Sequence, residues 1–128
     1  MEPTTDLQTQ PLRGELFAAA CPSRQVLKAL TSQWGVLVLC ALMTGVHRFS
    51  ELRNKMEGVS EKMLSQTLKS LENHGFVQRT AHPVIPPHVD YALTPLGHEA
   101  AQHVKTLASW IEDKLPDILG QCPAKARE

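Results

Sequence analysis

Residues 59–75 read VSEKMLSQTLKSLENHG, and residues 76–94 continue FVQRTAHPVIPPHVDYALT. In the first stretch Leu64, Leu68 and Leu71 follow i, i+4, i+7 spacing, so they share one side of a helix. At about 100° per residue, Lys62, Gln66, Lys69 and Asn73 fall on the opposite side. Ser60 suits the N-cap, where its hydroxyl accepts from an otherwise unpaired N–H, and Gly75 suits the residue just past the C-terminus. The second stretch holds two strand-like runs, residues 76–81 and 89–93. Tyr91 and Leu93 alternate with Ala92, as a half-buried strand requires. Between the runs Pro83, Pro86 and Pro87 fix φ and stiffen the turn. A helix followed by a hairpin, with basic and amide side chains turned outward, is the layout of a winged helix. The expected class is mostly α with a small β-hairpin wing (α+β).

Upstream, His47-Arg48-Phe49 is short enough for an edge strand or a simple extended link. Ser50 can cap a brief helix over residues 51–56, with Leu52 and Met56 at i, i+4. Glu57-Gly58-Val59 then makes a three-residue turn containing glycine, and two helices so joined match the helix-turn-helix signature. Residues 34–44, WGVLVLCALMT, are almost wholly apolar. Their β-branched members would allow a strand, but the length, the preceding Ser32 and the closing Gly45 favour a buried helix. Cys21-Pro22-Ser23 opens an earlier helix running to about residue 30, because proline suits the first helical position. Residues 15–20 read as a short helical turn.

Downstream, Thr94-Pro95 restarts helix as cap and first residue. Leu96, Ala100, Val104, Leu107, Ile111, Leu115 and Ile118 then keep a 3–4 spacing, and Pro116 is expected to kink or end that helix. The expected organisation is a flexible arm at 1–14, one domain at 15–119 and a C-terminal tail at 120–128. Within the domain, the helix-turn-helix covers about 50–75, the wing about 76–93 and a last helix about 95–118.

The totals fit this frame. With 128 residues, 42% of them hydrophobic and 20% charged, the chain is sized for one globular domain whose core a partner subunit could complete. The longest apolar run is far too short to span a bilayer, and no charged and then apolar leader pattern opens the chain. A cytoplasmic location without membrane contact is the expectation. Thirteen Lys and Arg balance thirteen Asp and Glu, which by itself argues against a strong nucleic-acid binder. Yet residues 47–88 carry six basic and four acidic side chains, so the excess positive charge is local to the helix-turn-helix and wing. Three cysteines, Cys21, Cys40 and Cys122, are an odd number without CxxC spacing, which is neither a disulfide framework nor a zinc finger.

Reading DNA requires a rod narrow enough for the major groove, with hydrogen-bonding side chains near its N-terminus. Ser60, Glu61, Lys62, Ser65 and Gln66 occupy those turns. Lys62 suits guanine or phosphate, Gln66 suits adenine, and Lys69, further along, suits phosphate. Glu61 would accept from cytosine or point away. Arg79 and His88 lie on the wing, where backbone positioning is the expected task. The competing reading is an ordinary amphipathic surface helix, with Arg79 paired to Glu72 or Asp90; the turn before and the wing after the helix favour DNA.

Cys21 stands at a helix start, near the positive end of the helix dipole and close in sequence to Arg24, and both favour the thiolate. The alternative is a small buried hydrophobe. Cys40 reads as inert core. The last helix carries more apolar surface than so small a core uses, so Leu96, Val104, Leu107, Trp110, Ile111 and Leu115 are expected at a two-fold dimer interface. His98 and His103 are five apart and no Cys/His cluster has ligand spacing, so neither a metal nor a cofactor is expected. No P-loop, GxSxG or acid–base pair points to an enzyme.

Several landmarks in order resemble the HxlR family of bacterial winged-helix transcription regulators, a branch related to MarR-type proteins. They are Cys21-Pro22 before a helix; Trp34 heading the apolar helix; His47-Arg48-Phe49-Ser50-Glu51-Leu52; Gly58-Val59-Ser60; Leu71-Glu72 with Gly75-Phe76-Val77 and Arg79; Pro87-His88-Val89-Asp90-Tyr91; and Leu93-Thr94-Pro95-Leu96-Gly97. The resemblance spans roughly residues 21–118. It implies a homodimeric regulator that binds double-stranded operator DNA. In parts of that family the cysteine matching Cys21 senses electrophiles, quinones or oxidants, which makes an electrophile the implied signal; the alternative is a small-molecule effector, an apolar ligand bound between helices, without thiol chemistry. A repressor is expected rather than an activator; the different-class alternative is a protein-interaction module that does not bind DNA.

Overall fold

The computed structural model describes residues 16–120. The expected arm at 1–14, Glu15, Cys122 and the rest of the expected tail after Gly120 lie outside them. Five helices are described: α1 (Pro22–Thr31), α2 (Gln33–Leu42), α3 (Phe49–Lys55), α4 (Glu61–Asn73) and α5 (Pro95–Gly120). Strands β1 (His47–Arg48), β2 (Val77–His82) and β3 (His88–Leu93) form one antiparallel sheet in the order β1-β3-β2.

Ser32 ends one helix and begins the next. Its backbone N–H donates to the Lys28 carbonyl of α1, while its Oγ accepts from Gly35 N–H at 3.0 Å and donates to the Ala29 carbonyl at 3.3 Å. One short side chain thereby caps α2 while α1 arrives at a 70° bend. Gly35 is glycine for a steric reason: a Cβ there would overlap the Ala29 carbonyl oxygen and Ser32 Oγ. No described helix is by itself long and apolar enough to cross a membrane. The apolar α2 is the central element instead, with Val38, Leu39, Ala41 and Leu42 buried. Around it close Leu52 and Met56 of the α3 region, Leu64, Leu68 and Leu71 of α4, Tyr91 and Leu93 of β3, and Ala101 and Val104 of α5.

The start of α3 differs from expectation. Ser50 does not cap it; Arg48, still extended at φ −83° and ψ 163°, is the N-cap and Phe49 the first helical residue. The helix leaves β1 without a linker, so the Arg48 N–H is satisfied by the Glu51 carboxylate at 2.8 Å, three residues on. His47, buried, ties the strand to the helix end: its Nδ1 meets the Gly45 carbonyl at 2.8 Å and its Nε2 meets Lys55 Nζ at 2.8 Å. A carbonyl only accepts and an ammonium only donates, so the ring carries its proton on Nδ1.

The α4 helix ends as its sequence suggests. Gly75 takes φ +84°, its N–H donates to Glu72 O, and the Phe76 N–H donates to Leu71 O at 3.0 Å. Those two bonds are the Schellman motif, and they bring Phe76 into the core beside Leu71. From there β2 runs antiparallel to β3 with Val77 opposite Leu93 and His82 opposite His88. The sheet has one strand more than the hairpin alone, because β1 pairs His47 with Tyr91 on the far side of β3.

Thr94 caps α5: its Oγ1 accepts from Gly97 N–H at 2.9 Å and donates to the Gly75 carbonyl at 2.6 Å. Gly97 lies so close to the Phe76 carbonyl that a Cβ there would overlap it. Pro116 does not end the helix; α5 continues through it to Gly120. Proline has no N–H for the Glu112 carbonyl and its ring crowds that carbonyl, but Glu112 is exposed, so the carbonyl can turn outward to water. The buried residues of α5 are Gly97, Ala101 and Val104, all in its first half. Val104, expected at a subunit interface, is instead part of the domain's own core. Leu96, Leu107, Trp110, Ile111, Leu115 and Ile118 are exposed.

Candidate nucleic-acid interface

The inward face of α4 is fully spent on the core, with Leu64, Leu68 and Leu71 at most 2% exposed. Ser60 Oγ accepts from Met63 N–H at 3.1 Å, so the expected cap is made. Its geometry aims the first turn outward. Lys62, Ser65, Gln66 and Lys69 are all exposed. A shallow groove lined by Ser65, Gln66, Lys69, Ser70, Asn73 and His74 runs along this face.

Glu61 is not aimed outward alone. Arg53 Nη1 of α3 donates to its Oε2 at 2.9 Å, across the turn that joins the two helices. Both partners are about half exposed or more, and such surface pairs contribute roughly 0–1 kcal/mol, so a phosphate can compete for Arg53. Lys55, also of α3, is held by His47. These contacts give Glu61, Arg53 and Lys55 a structural occupation that spacing alone did not reveal.

A second groove lies between α1 and α4, lined by Gln25, Lys28 and Ala29 on one side and Met63, Gln66, Thr67 and Ser70 on the other. Gln25 and Lys28 therefore flank the outward face of α4. Sequence reasoning missed both. Their signal was faint: they lie on the side of α1 away from Val26 and Leu30, which pack on the core.

On the wing Arg79 is exposed and sits opposite Tyr91 in the β2–β3 ladder. The expected rival pairing of Arg79 with Asp90 is not what Asp90 does. Its Oδ2 accepts from His82 Nε2 at 2.9 Å, and its Oδ1 lies 3.9 Å from His88 Nε2. The two imidazole rings stack with centroids 4.7 Å apart. His88 is thus half-buried within a wing-tip cluster, while Val84 and Ile85 at the tip itself are exposed. His98 and His103 lie exposed on α5, away from this cluster.

The cysteines divide by environment. Cys21 is the N-cap residue of α1 and only 4% exposed. Arg24, expected to act on its sulfur, sends Nη1 to the Phe17 carbonyl at 3.1 Å. Cys40 packs at the edge of the core, where burial pushes its thiol pKa up and the Lys105 ammonium partly offsets that. Its resting form is the neutral thiol.

This arrangement of helices, turn and wing recurs among known proteins. The chain is 58% identical over 113 residues to YtfH of Escherichia coli strain K12, an uncharacterised HTH-type transcriptional regulator; the match covers 88% of this chain and 90% of that one. It superposes with a TM-score of 0.81 on the solved structure of the transcriptional regulator ytfH from Salmonella typhimurium, at 60% identity, covering 84% of this chain and 96% of the other. A more distant structure, the redox regulator HypR in its oxidized form, gives a TM-score of 0.67 at 29% identity, covering 73% and 96% of the two chains. The HxlR-like helix-turn-helix family matches residues 29–118, more than half of the chain, and includes the turn, the α4 helix and the wing just described. The chain belongs to that family and is a helix-turn-helix transcriptional regulator.

Proposed function

We propose that this protein is a cytoplasmic homodimer that binds an inverted repeat in double-stranded DNA through α4 and acts as a repressor. The observation that carries this is the outward face of α4. Its three leucines are used by the core, and Lys62, Ser65, Gln66 and Lys69 stand exposed, with Met63 beside them, between the turn and the wing. Ser60 and the other first-turn residues would enter the major groove, with Lys62 and Gln66 reading bases, Lys69 and Arg79 on phosphate, and His88 supporting the wing. Leu96, Leu107, Trp110, Ile111 and Leu115 would close a two-fold interface, setting the two reading helices about one DNA turn, roughly 34 Å, apart.

The test is a titration of labelled duplex from the upstream region of the gene, followed by fluorescence anisotropy. Lys62→Ala and Gln66→Ala should each cost about 1–3 kcal/mol of specific binding, while Arg79→Ala weakens all sequences alike. Wild-type affinity in both of the first two would remove α4 as the reader. A protein-interaction module would show no steep fall of duplex affinity with salt, whereas phosphate contacts demand one.

Control through Cys21 is favoured by its place in the fold. Its sulfur is enclosed at the start of α1, and α1 carries Gln25 and Lys28 against the reading face of α4. Adding bulk at an enclosed sulfur would displace α1 and so disturb that face. The likeness to HypR points the same way. Treatment with diamide or a quinone should release DNA from wild type and leave Cys21→Ser bound. Unchanged binding in treated wild type would discard thiol control and leave a small apolar effector as the signal.

A further inference from the structure

We propose that His82, His88 and Asp90 form a binding site for a divalent transition-metal ion of the zinc class at the tip of the wing. One donor atom from each of the three residues lies within 4.8 Å of the other two. The strand register makes this so. His82 and His88 are the last pair of the β2–β3 ladder, and Asp90 follows His88 by two residues, which returns it to the same face. The intervening loop contains Pro83, Pro86 and Pro87, whose fixed φ angles reduce the freedom lost when the two histidines are held together.

The spacing suits a tetrahedral ion. Bonds of about 2.0–2.1 Å from zinc to nitrogen and oxygen set neighbouring donors about 3.3 Å apart. The two carboxylate oxygens of Asp90 face one ring each, Oδ2 at 2.9 Å from His82 Nε2 and Oδ1 at 3.9 Å from His88 Nε2, on either side of that value. Rotation of these partly exposed side chains would draw the three donors, now within 4.8 Å of one another, to that spacing. An ion would take the place of the proton shared by His82 Nε2 and Asp90 Oδ2, with each ring carrying its own proton on Nδ1. The donor set, two imidazoles and one carboxylate, is that of an open zinc site and leaves the fourth position for water or another oxygen. The three side chains are 38%, 22% and 27% exposed, so an ion can enter without the fold opening. With neutral histidines the cluster bears one negative charge; with a divalent ion bound it bears one positive charge. That inversion would turn a wing tip that repels phosphate into one that attracts it.

The site stands independently of DNA binding, and its test needs no DNA. The full-length, tag-free chain, stripped with chelator, is titrated with Zn2+ by calorimetry and with Co2+ by visible absorption. We expect one ion per chain and the absorption bands of tetrahedral Co2+ without thiolate charge transfer. His82→Gln, His88→Gln and Asp90→Asn should each weaken binding by more than about tenfold, and Cys21→Ser should leave it unchanged. Circular dichroism of each variant checks that the fold survives, since all three positions are partly solvent-exposed. No uptake by wild type, or uptake that survives His82→Gln together with His88→Gln, would overturn the proposal and leave a simple histidine–aspartate hydrogen-bonded pair.

Discussion

Helices α4 and α5 are both amphipathic, yet they finish differently. The apolar anchors of α4, Leu64, Leu68 and Leu71, are buried within its own domain, so what remains on its surface is polar but for Met63. On α5 burial stops at Val104, and one turn later Leu107, Trp110 and Ile111 face solvent, with Trp110 53% exposed. At about 100° per residue Leu96, Leu107, Ile111 and Ile118 fall within roughly 60° of arc, a continuous apolar stripe. A helix whose apolar face is fully used can offer only chemistry to a partner. One whose apolar face is half used offers area, which is what the proposed two-fold interface would cover.

The comparison can be broken from either side. The largest effect should come from Leu64→Ala, which leaves a cavity under α4 and should cost about 2–5 kcal/mol of stability, measured by urea unfolding. Ile111→Glu should do the opposite: the domain keeps its helical content while sedimentation shows the proposed dimer giving way to monomer. If Ile111→Glu unfolded the domain as Leu64→Ala does, the two helices would not differ in the way described. Ser60→Ala removes the cap bond to Met63 N–H and should cost about 1 kcal/mol, with a matching loss of order in the first turn of α4.

The smallest effect concerns the seam where α5 leaves the core. Cys40 on α2 faces Lys105 there, and its pKa is raised above the ordinary 9.0. Below 9.0 the thiol is protonated in folded and unfolded chains alike, so it contributes no pH dependence. As pH rises through 9.0 the unfolded chain ionises first, and stability falls until the folded thiol ionises too. Cys40→Ala should therefore shrink the drop in Tm between about pH 8 and about pH 10. An unaltered drop would mean that the thiol is no more enclosed than in the unfolded chain.

Where side-chain periodicity and cap chemistry are local, the sequence was legible. Leu64, Leu68 and Leu71 lie on one face, Ser60 caps, and Gly75 closes α4 with φ +84°. The wing runs came within a residue or two of β2 and β3. Where one residue serves two elements, legibility failed. Ser50 looked like a cap because serine commonly is, but the pairing of Arg48 with Asp90 across β1 and β3 set the helix start two residues earlier. No spacing along one element revealed that His82, six residues before His88, becomes its direct neighbour once the hairpin closes. The general spacing rules for metal sites describe one helix or one knuckle, and a cross-strand pair obeys neither. Gln25 and Lys28 likewise became part of the candidate interface only when the bend at Ser32 laid α1 beside α4.

By itself, then, the sequence determined the element types, the face of α4 that seeks the core, and the family to which the chain belongs. Those depend on spacings of three to seven residues, which any chain carries wherever it goes. The tertiary structure alone decided that Val104 belongs to the domain's own core while Leu107 does not. It also brought Glu61 to Arg53 and drew His82, His88 and Asp90 together. Each of these is a contact between residues whose separation in space is fixed by a turn, a register or a packing distance, and none of those is written in the local pattern of side chains.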